Sequence, residues 1–448
     1  AKVAIRLNIC TKPSSILSPY LLKRLCKKEN TILNISLSDF NFLPKIKTQA
    51  ALFFFAQNLH LLYNKQVKFN ISGEFMTERN KTIDKLRGIC MLGVLGIHTG
   101  SLVLMSVSPN QHLYMLFEIL SRYSVPAFFF VSGYGLFCHY KPGTEINYRQ
   151  FIKKRFQSSG IPYLSWSLFY MVYFTTVVPG CIPWFSPLGL LHILFWGLAC
   201  YHLYFMIILL WFYAFFPIFQ KLLGAMQKYS LKAGFAALFL FQLLFNYWTM
   251  HPGITAQQLP IILQDFFTYR LNYLPLHYLF IFMLGGLAAI KEKEFFKTLT
   301  GNFKSVSTLY LLSIIYICGS YYYYYYKYGY DLISLTNTFQ QLSPQGFIYT
   351  IASILFFCGF FARKQKENYL TRAVDFISDN SMLVYFAHPF WLSMIERTSH
   401  HFGIVMTTKR TAASYIILLA VSLVTSIVLK KISAKIPVLN LLLTGRKK

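Results

Sequence analysis

Arg87 and His98 stand in "LRGICMLGVLGIHTG" with ten residues between them. On a helix, eleven steps of about 100° return the second side chain to within about 20° of the face of the first, about 16 Å further along the axis. Arg87 then sits at a membrane surface and His98 midway through the bilayer beneath it. A guanidinium there can hold a phosphate, with the imidazole facing whatever that ligand extends inward. Ionisable residues inside spans cost about 2.5–3.5 kcal/mol on insertion scales and are functional candidates by default. The competing reading is that a lone intramembrane histidine is a structural hydrogen-bonding group. Gly88, Gly93, Gly96 and Gly100 on the same segment allow a neighbour or a ligand to come close.

The next segment, "FEILSRYSVPAFFFVSGYGLF", carries Glu118 and Arg122 at i,i+4 spacing, where each neutralises the other. Pro126 is expected to kink it, with freed carbonyls open to polar partners. Ser132 and Gly133 follow the run Phe128–Phe130. Ahead of a third segment, "FIKKRFQSSGIPYLSWS" sets Lys153, Lys154 and Arg155 before a Pro-Tyr entry.

Other polar residues have plainer readings beside functional ones. His202 begins the fourth apolar segment at the outer face, either lining an entrance for an acceptor or lying at the interface. His388 precedes Pro389 near the middle of the ninth, where bonding a carbonyl freed by the proline is the favoured role. Ser381 and Tyr385 share a face, which helix–helix hydrogen bonding explains. His277 beside Pro275 reads as interfacial, and Asp265, Arg270 and Asp379 fall at or beyond segment ends, where they can touch a polar acceptor.

The elements that position these residues are membrane helices. Hydrophobic residues make up 55% of the 448 and charged ones 13%, against about 25% charged in a soluble domain. An ordinary cytosolic enzyme, a disordered chain and a secreted disulfide scaffold are thereby excluded. Ten apolar segments are long enough to read as spans: 87–106, 113–138, 160–179, 201–222, 232–249, 274–291, 306–326, 345–361, 379–396 and 413–430. The stretch 183–199 begins with Pro183 and Pro187 and reads as re-entrant or interfacial. The expected fold class is therefore all-α, a polytopic membrane helix bundle of about ten transmembrane helices.

The net charge of +28 comes in short basic runs between these segments. They alternate: Arg79, Lys81 and Lys85, then 141–155, 221–232, 291–304, 363–372 and the tail are basic, whereas the intervening loops hold only Arg270, Lys327, Arg397, Lys409 and Arg410. Such a bias places both termini in the cytoplasm and argues against nucleic acid as the partner. The run Tyr321–Tyr326 at an outer end reads as an aromatic belt. The eight cysteines, at 10, 26, 90, 138, 181, 200, 318 and 358, show no metal-ligand spacing. Most read as small apolar fillers, with Cys181 and Cys200 flanking one non-cytoplasmic loop. No metal site, Gly-rich phosphate loop or Ser-His-Asp pattern is expected.

Residues 1–75 are Lys-rich and hold one short apolar run, Ala50–Phe55. Met76 opens "MTERNKTIDKLRGIC" as a normal cytoplasmic N-terminus does, and Gly73-Glu74 corresponds to a purine-rich stretch placed as a bacterial ribosome-binding site. Residues 1–75 are accordingly expected to be upstream sequence translated in frame or a basic surface segment, and 76–448 a single membrane domain.

Taken in order, these segments resemble the acyltransferase-3 family of integral membrane acyltransferases. Its first-span Arg-x10-His motif is met by Arg87 and His98, and its Phe-Phe-x-x-Ser-Gly motif by Phe128, Phe129, Ser132 and Gly133. Its Arg-x-x-Arg motif is met by Arg155 alone, since Ser158 stands in the second place; Lys153 and Lys154 are candidate substitutes. "GLACYHLYFMIILLWFYAFFP", "YLFIFMLGGLAA", "DNSMLVYFAHPFWL" and "KIPVLNLLLTG" extend the similarity to nearly all of the chain after Met76. It implies transfer of an acyl group, usually acetyl, from cytoplasmic acyl-CoA to a hydroxyl of a cell-surface polysaccharide or lipid-linked sugar. The nearest form lacks an appended esterase-like domain, like the enterobacterial common antigen and exopolysaccharide O-acetyltransferases, and works as a multi-pass protein of the bacterial plasma membrane. The implied donor is acetyl-CoA, held by Arg87, Arg155, Lys153 and Lys154, with no metal. The residues suit that chemistry. A neutral His98 can take the proton of an attacking hydroxyl, worth about 10²–10⁴-fold, or can carry the acyl group itself. The alternative to an enzyme is a transporter or flippase for a glycan intermediate, for which inverted repeats would speak; no half-to-half repeat is evident.

Overall fold

Asn80 caps the first helix. Its side-chain oxygen accepts from the backbone N–H groups of Thr82 and Ile83, satisfying two of the donors a helix start leaves open. Its amide nitrogen donates to Glu292 Oε1 at 2.6 Å and to Tyr134 Oη at 3.2 Å. One residue thus ties together the ends of three helices. The structure is a computed structural model and describes residues 80–177, 186–251, 253–363 and 367–446. Residues 1–75 and Met76, together with Cys181, Pro183, Lys364, Lys366, Lys447 and Lys448, lie outside the described residues.

All regular structure among the described residues is helical. The chain runs through α1 (Lys81–Leu104), α2 (Gln111–His139), α3 (Tyr148–Arg155), α4 (Ile161–Val177), α5 (Pro187–Trp196), α6 (Tyr204–Ala214) and α7 (Phe216–Tyr229). It continues through α8 (Leu231–Met250), α9 (Ile261–Thr268), α10 (Leu279–Ile290), α11 (Glu292–Gly301), α12 (Phe303–Tyr328), α13 (Leu332–Thr338) and α14 (Pro344–Ala362). It closes with α15 (Tyr369–His401), α16 (Thr408–Ser433) and α17 (Pro437–Thr444). Two π-helical turns, Met115–Ile119 within α2 and Phe156–Gly160 between α3 and α4, widen the helix locally.

Among the described residues each of the ten apolar segments falls mainly on helix, but they are not ten equal spans. Six helices, α1, α2, α8, α12, α14 and α16, are long and apolar enough to cross a membrane, and α6 with α7 makes a seventh if the pair is one span. That pair is bent by 61° at Phe215, where Pro217 opens the second helix. A proline has no N–H to continue the ladder and collides with the carbonyl four residues back. The remaining segments miss the test for visible reasons. Helix α4 has 17 residues, the stretch Pro275–Ile290 is short, and α15 carries Asp379, Asn380, Ser381, His388 and Glu396 through its apolar part. The stretch taken as re-entrant contains the ten-residue α5, closed by Gly197 in the left-handed region at φ 70°.

Helix α1 is the axis of the bundle, buried along most of its length against α15, α2, α16 and α14. Its glycines are approached closely, as their type suggests: a Cβ on Gly88 would strike the Val374 carbonyl of α15, and one on Gly100 would strike Glu118 of α2. The tightest seam joins α2 to α10. A Cβ on Gly133 would collide with the Phe282 carbonyl, and one on Gly285 with the Phe130 carbonyl. The two contacts are reciprocal and one helical step of three residues apart on each side. Gly133→Val or Gly285→Val must push the backbones apart, and overpacking of this kind costs about 1–3 kcal/mol or more. We expect either variant to lower the midpoint of thermal unfolding in detergent, and Gly135→Ala, with open space around it, to leave it unchanged.

Candidate functional site

Three elements meet at His98. It is buried on α1, and its ring lies 5.0 Å from that of His388, stacked at 25°, and 4.8 Å from that of Tyr201. His202 completes the group, 5.3 Å from His388 and 4.8 Å from Tyr385. The cluster thus draws on α1, on α15 and on the unwound segment between α5 and α6.

His388 owes its pose to Pro389. The missing N–H of Pro389 frees the Tyr385 carbonyl four residues back, and His388 Nδ1 lies 2.7 Å from that oxygen and 3.2 Å from the Val384 carbonyl. The favoured sequence reading of this residue is therefore what the structure holds. One residue on, Tyr170 of α4 bridges the same break: its hydroxyl donates to the Phe386 carbonyl at 2.5 Å and accepts from the Phe390 N–H at 3.3 Å. Tyr385 donates to the His202 carbonyl at 2.7 Å, which pins the unwound segment. Ser381, expected to bond across helices, instead bonds its own helix at Ser378.

The ring nitrogens are the unusual feature. Nδ1 of His98, both nitrogens of His202 and Nε2 of His388 are buried without a hydrogen-bond partner. A buried polar group left unmade costs about 1–3 kcal/mol, so four of them in one cluster call for a physical reason. His98 keeps 9% of its surface exposed, His202 2% and His388 none. Tyr201, whose ring lies against that of His98, keeps 40%, so the cluster has an opening on its Tyr201 side. His98 is the most exposed of the three histidines and the one whose ring lies against both Tyr201 and His388. Among the described residues no group of three or more His, Cys, Asp or Glu is arranged to hold a metal ion.

Toward the other end of α1, Arg87 is half-buried and bonds Asp84 one turn earlier at 3.1 Å, while Lys85 pairs with Asp375 of α15 at 2.9 Å. Arg155 lies over the rings of Phe151 and Tyr213 at 5.6 and 5.8 Å, its Nε without a partner. Lys153 and Lys154 are exposed, and Ser158 bonds the Arg155 carbonyl.

Glu118 and Arg122 form the expected pair, in a buried network rather than at an opening. Arg122 also donates to Gln341 at 3.0 Å, and Gln341 to Tyr278. Phe129 is fully buried against Phe205, Phe212 and Tyr278, and Phe128 packs on Phe205. Ser132 is half-buried and Gly133 sits in the α2–α10 seam. The Phe-Phe-x-x-Ser-Gly stretch therefore builds the wall that carries the site.

Several expectations are corrected. His277 is not interfacial: it is fully buried, with Nδ1 3.0 Å from Asn246 Oδ1 of α8. His202 does not lie on an interface and does not begin a helix; it is buried in the unwound turn before Tyr204. Asp265 pairs with His192, and Arg270 bonds the carbonyls of Phe267 and Thr249. Cys200, by contrast, is buried and free, the small apolar filler that most of the cysteines were expected to be. Sequence reasoning missed Tyr201, Ser101 and Glu396. Ser101 donates to the His98 carbonyl at 2.8 Å and lies 3.3 Å from Glu396 Oε1. Glu396 had a signal, an acid within an apolar segment; Tyr201 had none, because only tertiary folding brings it to His98.

The described residues thus form a bundle of apolar helices, of which six or seven are long enough to cross a membrane, with His98 buried in the last third of α1 and Arg87 three turns nearer its start. The family model described as an acyltransferase domain, acyltransferase-3, matches residues 80–431. The chain belongs to that family and is a multi-pass membrane acyltransferase. No curated protein and no solved structure matches it.

Proposed function

We propose that this acyltransferase moves an acetyl group from cytoplasmic acetyl-CoA to a hydroxyl of a cell-surface polysaccharide or lipid-linked sugar, in the bacterial plasma membrane. The observation that carries the reading is His98, the most exposed of the three clustered histidines, with its ring against the partly exposed Tyr201. His98 takes the proton of the acceptor hydroxyl as its oxygen attacks the thioester carbon, the C–S bond breaks, and CoA leaves. Arg87, three turns away on α1, binds a phosphate of the donor, and Arg155, Lys153 and Lys154 add positive charge at the same end of the bundle. The eleven-residue spacing, about 16 Å along α1, suits a donor bound by phosphate at the surface with its acyl end inside.

The test uses membranes carrying the protein, labelled acetyl-CoA and the membranes' own envelope glycan. The reading expects CoA release matched by label in the glycan. Well-inserted protein with glycan present and no label transferred overturns it. For the donor contact, losing a charge-assisted hydrogen bond costs about 1.5–3 kcal/mol, or tenfold or more in affinity. Arg87→Ala is therefore expected to raise the acetyl-CoA KM at least about tenfold with a smaller change in kcat. An unchanged affinity for CoA in that variant refutes the phosphate contact.

A further inference from the structure

His388 is a poor candidate for meeting substrate, because none of its surface is exposed. It is well built for something else. Its Nδ1 faces two oxygens, the carbonyls of Val384 and Tyr385, at 3.2 and 2.7 Å. A carbonyl only accepts, so Nδ1 carries the hydrogen and donates. In a neutral imidazole the other nitrogen is then a lone pair, and which nitrogen is which is set by the bond the first one makes. The Pro389 break therefore turns His388 Nε2 into a fixed hydrogen-bond acceptor, buried and without a donor. Its stacked neighbour at 5.0 Å is His98, whose buried Nδ1 equally lacks a partner. A lone pair needing a hydrogen thus lies beside a nitrogen free to carry one.

We propose that His388 is the positioning residue for His98: its Nε2 accepts the Nδ1–H of His98 and so fixes His98 in the tautomer whose Nε2 lone pair faces the opening. The chain runs from backbone carbonyls through His388 to His98 and on to the substrate hydroxyl. It gives His98 what the buried acid gives the histidine of a Ser-His-Asp triad, a set orientation and a set tautomer, and uses a neutral group that a membrane interior tolerates. The two rings are not hydrogen-bonded in this structure. Closing the link takes a turn of the His98 ring about χ2, a torsion with broad wells, and substrate entering beside Tyr201 supplies the occasion. When His98 takes the hydroxyl proton it becomes an imidazolium, and its Nδ1–H bond to His388 becomes charge-assisted and stronger. The proton is held on His98 Nε2 until it passes to the departing thiolate, which balances the transfer.

The inference rests on His98 as the base of the proposed reaction, and the experiment separates the two. His388→Asn places an amide N–H where Nδ1 stood and keeps the donation to the carbonyls, but has no atom at Nε2. His388→Gln places an amide oxygen at Nε2. In membranes with labelled acetyl-CoA, His388→Asn should lower kcat about 100-fold, the low end of what base catalysis supplies, with the acetyl-CoA KM unchanged. His388→Gln should recover most of that loss, which a purely structural role does not predict. Histidine ¹⁵N spectra of the wild-type protein in lipid nanodiscs, assigned with His98→Gln and His388→Asn, should show both residues protonated at Nδ1 and bare at Nε2. This readout needs no variant to be active. His98 protonated at Nε2, or His388→Asn turning over at the wild-type kcat, overturns the proposal. Absence of any His98-dependent transfer in the wild type strikes instead at the reaction itself.

Discussion

Membranes carrying His98→Ala should transfer label from acetyl-CoA to envelope glycan about 10²–10⁴ times more slowly than wild type, the range a positioned base contributes, while the protein still inserts. The two halves of this expectation have separate grounds. Activity is lost because no other clustered histidine can replace His98: His202 is 2% exposed and His388 not at all, so neither presents a nitrogen to the opening. Insertion survives because α1 gains rather than loses apolar character, and its packing against α15 and α2 runs through Gly88, Gly93, Gly96 and Gly100 rather than through the imidazole. Alanine leaves a cavity beside Tyr201 and His388, so His98→Gln, which restores bulk without a base of comparable strength, is the companion variant. Both should be slowed to the same extent and only the alanine form measurably less stable. Turnover at the normal rate by either one removes His98 from the chemistry.

How far the sequence alone foretold this site depends on how each residue is placed. Arg87 and His98 were legible because both lie on one helix, where 3.6-residue geometry fixes their relation. The bond from His388 to the Tyr385 carbonyl was legible for a related reason: a proline frees the carbonyl four residues before it, wherever the helix packs. The all-helical class followed from apolar runs of membrane length. The proximity of His202 and Tyr201 to His98 was not legible. More than 90 residues of chain separate them, and the unwound turn that holds them is anchored by tertiary bonds such as Tyr385 to the His202 carbonyl. His277 misled because a histidine beside a proline at a segment end looks interfacial, whereas Asn246 on α8 provides it with a buried partner. The bend at Phe215 was written in Pro217, yet hydropathy summed along a window does not register a missing N–H. Span counting fails in the same way at α15, where polar residues such as Asn380 and His388 lower the hydropathy of a helix that packs along α1.

The largest stability effect should come from Arg122→Ala. Glu118 lies on the π-helical turn of α2, its side chain 3% exposed, and Arg122 is the cation that compensates it, 12% exposed. Removing one partner of a buried ion pair leaves the other charge uncompensated, at a cost of about 3–5 kcal/mol. That is a large part of the total stability of most folded chains. The surroundings offer Glu118 no relief by movement, since Gly100 of α1 already lies against it. Arg122→Ala also strips Gln341 Oε1 of its donor, adding about 1–3 kcal/mol for an unmade buried bond. Replacing both charges, with Glu118→Leu and Arg122→Met, should return most of the loss, because a buried pair exchanged for apolar groups of similar size is often neutral; the Gln341 deficit should remain. Thermal unfolding in detergent reads all three proteins. Arg122→Ala melting at the wild-type temperature would sink the structural role of the pair. A double variant that melts normally but transfers no acetyl group would place Glu118 and Arg122 in contact with substrate instead. We expect the double variant to be both folded and active, because the pair's bonds run to Gln341 and on to Tyr278, within the wall that carries His98 and away from the opening beside it.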